Sequence, residues 1–361
     1  MGLLLQKNHL FRLRCEQIRQ NDEEKTIFTV LMDHFNTEEF TLFAAALRVN
    51  NTIRQFQLCL MSASQPPDQI QVLGNIFQTS TAIKRLILID PYNHQLQALW
   101  QGVLSGQSLD DVALNLHPPA SVAGFMEAWT ESSTIKSFTF QECHFQKDNV
   151  DALCTHLIGS RRNGARFVFH HCIFTVDDKR CIAQALAQST AHIMFSFCDK
   201  DGLDKETATM FGQAVATNKK LQGVAFYELD NDNLHIITQA IEQNHYLTRA
   251  SISGKRVRFE RETEFVEMCK KKVAQSIELN KAGRQFLQES IQRPGGASIE
   301  AFWLSSLTKN INKHSLIYSW IRNYPDVFVR VAGLAKEVES KGKRKADIKG
   351  KLKAKKPRTM G

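Results

Sequence analysis

The chain lacks any cysteine framework. Its eight cysteines are scattered through 361 residues and no Cys-x-x-Cys pair occurs, which argues against a disulfide scaffold and for a reducing compartment. No apolar run approaches the ~18 residues needed to cross a bilayer, so no membrane association is expected. The opening Met1-Gly2-Leu3-Leu4-Leu5-Gln6 has an apolar triplet too short for a secretory signal, and Gln6 stands where myristoylation prefers Ser or Thr. Without such a signal, the sequon Asn50-Asn51-Thr52 is expected to stay unmodified. Phosphate-binding glycine loops and the H-E-x-x-H and G-x-S-x-G strings are absent as well. The chain is therefore expected not to be an enzyme, with no catalytic residue and no cofactor.

Charge of one sign is scarce except in one place. The formal charge is +9 and the isoelectric point about 9.1. Residues 336–361 hold eleven Lys/Arg against three Asp/Glu, so +8 of the excess belongs to the last 26 residues and the body is nearly neutral. With few apolar residues to bury, this tail is predicted to be disordered. Its Lys343-Arg344-Lys345 cluster, a spacer and Lys355-Lys356-Pro357-Arg358 resemble a bipartite nuclear-import signal. An import receptor is one partner this implies. Nonspecific phosphate contact with nucleic acid is a second, and a solubilising tail with no partner is the third reading. The tail has no aromatics, so base stacking is not open to it.

What the chain does have is a period. The second apolar residue of each short alternating run falls at Leu58, Leu88, Leu114, Phe140, Phe169, Phe195, Phe226 and Ile252, at intervals of 30, 26, 26, 29, 26, 31 and 26 residues. Such self-similarity marks a solenoid. The residues two earlier (Phe56, Leu86, Val112, Phe138, Phe167, Ile193, Val224 and Ala250) are also apolar, as one face of a strand requires. Helix ends recur between them: Ala46-Leu47-Arg48-Val49-Asn50, Ala185-Leu186-Ala187-Gln188-Ser189, Ala214-Val215-Ala216-Thr217-Asn218 and Ala240-Ile241-Glu242-Gln243-Asn244. Gln65-Pro66-Pro67-Asp68, Asp177-Asp178, Asp199-Lys200-Asp201-Gly202 and Asp230-Asn231-Asp232-Asn233 are predicted to cap the helices that follow them.

Three units carry more. Ile135-x-x-Phe138-x-Phe140-x-x-Cys143-x-Phe145 fits the pattern L-x-x-L-x-L-x-x-N/C-x-L; Phe167-x-Phe169-x-x-Cys172-x-Phe174 repeats most of it, and Phe195-x-x-Cys198 a fragment. Over residues 26–258 the chain resembles leucine-rich repeats of the ribonuclease-inhibitor type, with Phe in place of many Leu. The resemblance implies an α/β leucine-rich-repeat solenoid of about eight or nine units, a horseshoe with parallel strands inside and helices outside. Cys143, Cys172 and Cys198 each follow an anchor by three residues. They are predicted to form a buried structural ladder, and no metal site is expected. Residues 1–25 are read as an N-terminal flank with Leu10–Ile18 as a capping helix, 259–334 as a helical C-terminal cap and 335–361 as the disordered basic tail. Within the cap, Ile277 to Leu287 resembles the segment that closes many repeat proteins of this type in diatoms and related algae. Helices are predicted over Phe265–Ile291, Ser298–Ile311 and Leu316–Tyr324.

Solenoids of this kind bind along the strand face. Arg85, Ile87, Arg166, Val168, His170, His192, Met194, Tyr227 and Arg249 are the candidate contact residues, because Arg and aromatic side chains dominate interface energetics. The expected function is a non-enzymatic scaffold for a protein partner of unknown identity, addressed by its tail to a nuclear or nucleocytoplasmic location. Two alternatives stay open: a nucleic-acid-associated protein using the tail, and a GTPase regulator by analogy with the Ran GTPase-activating proteins, which share this repeat class.

Overall fold

The computed structural model describes residues 15–281 apart from connecting segments at 21–25, 33–34, 61–65, 91–95, 160–163 and 256–262 and most of 117–134. The basic tail, the two later cap helices and residues 10–14 of the predicted N-terminal helix lie outside the described residues; residues 15–19 are helical.

Alternation of apolar and polar residues produces nine strands: β1 (Ile27–Leu31), β2 (Gln55–Cys59), β3 (Arg85–Asp90), β4 (Asp111–Leu116), β5 (Ser137–Gln141), β6 (Ala165–Cys172), β7 (Ile193–Asp199), β8 (Leu221–Leu229) and β9 (Arg249–Gly254). They form one sheet in chain order, every neighbouring pair parallel. Between them run α1 (Thr37–Val49), α2 (Pro67–Thr79), α3 (Gln97–Ser105), α4 (Lys147–Gly159), α5 (Val176–Gln188), α6 (Lys205–Thr217) and α7 (Asn231–Gln243), and α8 (Glu264–Lys281) follows. Parallel strands paired in strict sequence order need a crossover after every strand, and stacking such units buries a continuous core. The architecture is the α/β leucine-rich-repeat-like solenoid that the period predicts. The chain separates into two compact units, 1–273 and 274–361, with the division inside α8.

Two apolar columns run across the sheet. One is Phe56–Leu86–Val112–Phe138–Phe167–Phe195–Val224–Ala250; the other is Leu58–Leu88–Leu114–Phe140–Phe169–Phe197–Phe226–Ile252. The anchor of the seventh strand is thus Phe197, two residues beyond the predicted Phe195. The correction keeps the same face, because a shift of two preserves the alternation; only hydrogen bonding to β6 and β8 selects between the candidates. Phe140 and Phe169 stack at 5.5 Å and 8°, Phe138 and Phe167 at 5.8 Å and 18°.

The helical layer packs closely where it is built from glycine. A Cβ on Gly102 of α3 would lie 2.0 Å from the Gly74 carbonyl oxygen of α2, so only glycine permits this approach. The asparagines ending α6 and α7 do more than stop a helix. Asn218 Nδ2 donates to the carbonyls of Leu186 and Ser189 at 2.6 and 3.1 Å, and Asn244 Nδ2 donates to those of Val215 and Asn218 at 2.6 and 3.0 Å. Each buried amide thereby satisfies carbonyls at the helix end of the preceding coil.

Helix starts follow the predicted chemistry in part: α2 follows Pro66 with no side-chain cap, and the cap of α5 is Thr175, ahead of the predicted Asp177-Asp178. Asn36 and Thr175 form capping boxes with Glu39 and Asp178, and Asp230 caps α7. The cap of α6 is Asp204, outside the predicted Asp199–Gly202. Asp199 is instead buried at the end of β7, with its Oδ2 2.5 Å from Lys179 Nζ of α5. The ends of β5, β6 and β8 explain this. Glu142, His171 and Glu228 have φ of 55°, 52° and 58°. Each adds an extra residue at the strand end, so that the next side chain (Cys143, Cys172, Leu229) is the one that turns inward. Strand β7 has no such residue, and Asp199 stands opposite Cys172. The buried ladder therefore contains Cys143 and Cys172, whose thiols donate to the carbonyls of Leu114 and Phe140 at 3.7 and 3.3 Å. Cys198 is not part of it. It pairs with His170, in an outward position of the strand.

Candidate partner-binding face

Burial alternates along most of the strands, with one set of side chains in the core and the other mostly half-buried or exposed, Ala113 and Cys198 of that set being buried. The second set forms three rows. The first crosses Arg85, Asp111, Ser137, Arg166, Met194, Gly223 and Arg249. The second crosses Ile87, Ala113, Thr139, Val168, Ser196, Ala225 and Ser251. The third takes in Gln141, His170 and Cys198, with Tyr227 one residue beyond the Phe226 anchor. Eight of the nine predicted contact residues therefore share this face. His192 does not: it precedes β7, and its carbonyl accepts the Gly164 N–H at 2.6 Å. Its displacement, like that of Met194 from the middle row to the first, follows from the two-residue shift of the β7 anchor.

The charges on the face differ in availability. Arg85 Nε lies 3.1 Å from Asp111 Oδ2 on the adjacent strand, so its charge is largely matched. Arg166 and Arg249 are exposed, and neither has a carboxylate partner among the described residues. Gly223, lacking a side chain, leaves the gap that Arg249 crosses to bring Nη1 within 3.6 Å of Met194 sulfur. Half-buried Val168, Met194 and Tyr227 lie between or beside the two guanidinium groups. Sequence reasoning missed β1, where Ile27 and Leu31 stand 61% and 43% exposed on the sheet edge. The alternation of Ile27-Phe28-Thr29-Val30 was the available signal.

A second kind of chemistry gathers where β6, β7 and β8 end. Ligand-type atoms of His170, His171 and Cys198 all lie within 4.8 Å of one another. His171 Nδ1 is 3.9 Å from Cys198 Sγ and 3.8 Å from Glu228 Oε2. Burial, then the neighbouring His171, lower the pKa of His170, opposed by Glu228 and Glu142; burial raises that of the Cys198 thiol.

Among the described residues no helix is long and apolar enough to cross a membrane. No family model matches the sequence, and no curated protein matches it. Comparison with solved structures returns the C-terminal domain of a tropomodulin from Caenorhabditis elegans, 9% identical, over 77% of this chain and 97% of that one, with a TM-score of 0.19. A likeness at that score carries no argument, and the fold assignment rests on the sheet order and register described above.

Proposed function

We propose that the chain is a non-enzymatic scaffold of the leucine-rich-repeat type that binds a protein segment carrying carboxylates and apolar side chains across β6 to β9. The observation that carries this reading is the pair of exposed guanidinium groups, Arg166 and Arg249, which have no carboxylate partner among the described residues and are set around half-buried Val168, Met194 and Tyr227 on the sheet face. Charged rim groups steer encounter while desolvated aromatic and aliphatic anchors hold the complex. Replacing Arg166, Tyr227 and Arg249 together by Ala is expected to abolish capture of the proteins that co-purify with the full chain. Replacing Thr155, Gln184 and Gln213, exposed on the helical layer, should leave capture intact. Equal losses from both triples, or from neither, would move the interaction off the sheet face.

The basic tail supports a nuclear address within the same reading. A reporter fused to residues 1–335 is expected to lose the nuclear enrichment of the full-length fusion. If the two distribute alike, the tail is not the import signal. The full chain should also bind DNA weakly and lose that binding steeply as salt rises. Tight binding that survives moderate salt would favour the nucleic-acid reading instead.

A further inference from the structure

We propose that His170, His171 and Cys198 form a three-ligand binding site for a tetrahedrally coordinated zinc-type cation at the C-terminal ends of β6 and β7, with water in the fourth position and Glu228 of β8 beside His171. The proposal goes beyond the scaffold reading and does not depend on it.

Three observations support it. The first is the donor set. Two imidazoles and a thiol are ligand types of zinc sites, and mixed nitrogen and sulfur donors at a tetrahedral centre favour that ion over harder cations. The second is spacing. Zinc bonds of about 2.0–2.3 Å in a tetrahedron place ligand atoms roughly 3.3–3.6 Å apart. The ligand-type atoms of His170, His171 and Cys198 lie within 4.8 Å of one another, with Cys198 Sγ 3.9 Å from His171 Nδ1, so side-chain rotations moving these atoms by about 1 Å bring them to bonding geometry.

The third is backbone conformation. On a regular strand His170 and His171 would point to opposite faces. The left-handed φ of 52° at His171 ends the alternation, keeps both rings on the outer side and hands the core position to Cys172. Glu228 at 58° does the same for β8. A non-glycine residue in this region is strained, and glycine would avoid the strain. In β6 the residue that bears it is a potential ligand. The two histidine rings meet edge-on, with centroids 4.4 Å apart and planes at 89°, so their nitrogens converge without stacking.

Cys198 starts as a thiol, and its proton passes to solvent as the sulfur–metal bond forms. Coordination on two adjacent strands would fasten coils six and seven together.

The test uses the full chain, reduced and stripped with chelator, then titrated with Co²⁺ as a spectroscopic stand-in and with Zn²⁺ in competition. The expected result is one tetrahedral cobalt per chain, with intense d–d bands and a thiolate-to-cobalt charge-transfer band that Zn²⁺ abolishes. Cys198→Ser should remove the charge-transfer band, and His170→Gln, a change at a partly exposed outward position, should weaken affinity by about 10- to 100-fold. Cys181→Ser, an exposed cysteine elsewhere, should change neither. Persistence of the thiolate band in Cys198→Ser, or unchanged affinity in a folded His170→Gln protein, would overturn the proposal. So would a weak octahedral cobalt spectrum in the unmodified chain.

Discussion

Lys179→Met is expected to destabilise the solenoid by about 3–5 kcal/mol, the usual cost of leaving one charge of a buried pair without its partner. Lys179 and Asp199 side chains are 4% and 0% exposed, and Lys179 Nζ also donates to the Gly202 carbonyl at 2.9 Å. Urea denaturation at neutral pH measures the loss. The double variant Lys179→Met/Asp199→Leu should recover most of it, because buried leucines end β4 and β8 at Leu116 and Leu229. A double variant no more stable than the single one would show that the pair is not the source of the deficit.

Acid should also help the single variant. Burial raises the pKa of Asp199 and Lys179 opposes that rise. Without the lysine, burial and the Asp201 charge outweigh the remaining Asp201 backbone hydrogen bond, so the folded chain holds the Asp199 proton more tightly than the unfolded one. A group whose folded pKa is raised contributes stability that is complete below its unfolded pKa and lost as pH climbs through the folded one. The deficit of Lys179→Met is therefore expected to shrink as pH falls from about 7 toward the ordinary carboxylate value near 3.9. A deficit independent of pH would reject the electrostatic account.

Phe169→Ala should cost a comparable amount, about 3–5 kcal/mol, by opening a cavity at the centre of the phenylalanine stack. Phe169 is fully buried and stacks on Phe140. It also meets Phe145 and Phe174 edge-on at 5.8 and 5.7 Å and touches Phe195 and Phe197 at 5.8 and 6.2 Å. These contacts join the fifth, sixth and seventh coils. In a repeat array stability is a sum of coil and nearest-neighbour terms, so a void here should also uncouple the two halves. Segment-resolved hydrogen exchange in urea is expected to change from one transition to two, with β1–β5 and β7–β9 losing protection separately. A single transition of undiminished cooperativity would mean that coupling runs through the helical layer instead.

Which parts of this were readable in advance follows from the length scale of each interaction. Strand and helix identity came from neighbours within one coil. Phe167 and Phe169 share a face because they are two apart, and Asp230 caps α7 because Asn233, whose N–H it accepts, is three away. The β7 anchor was misplaced because Ile193, Phe195 and Phe197 all satisfy the same alternation and coil length varies. Ladder hydrogen bonds to strands nearly thirty residues away decide among them. The same slip put Cys198 in the ladder, added His192 to the face and hid Asp199 among helix caps. For the face itself, outward parity identified eight of nine contact residues, but the matching of Arg85 by Asp111 and the reach of Arg249 to Met194 could not be read from parity.

The order of the chain alone determined a stacked strand–helix array, since only apolar residues recurring every 26 to 31 positions can share one continuous interior. Tertiary structure decided which functional groups meet. Lys179 and Asp199 are twenty positions apart, and His171 and Glu228 fifty-seven. Their encounters depend on where left-handed residues shift a strand end by one position, a choice made by pairing with the neighbouring coil rather than by local sequence.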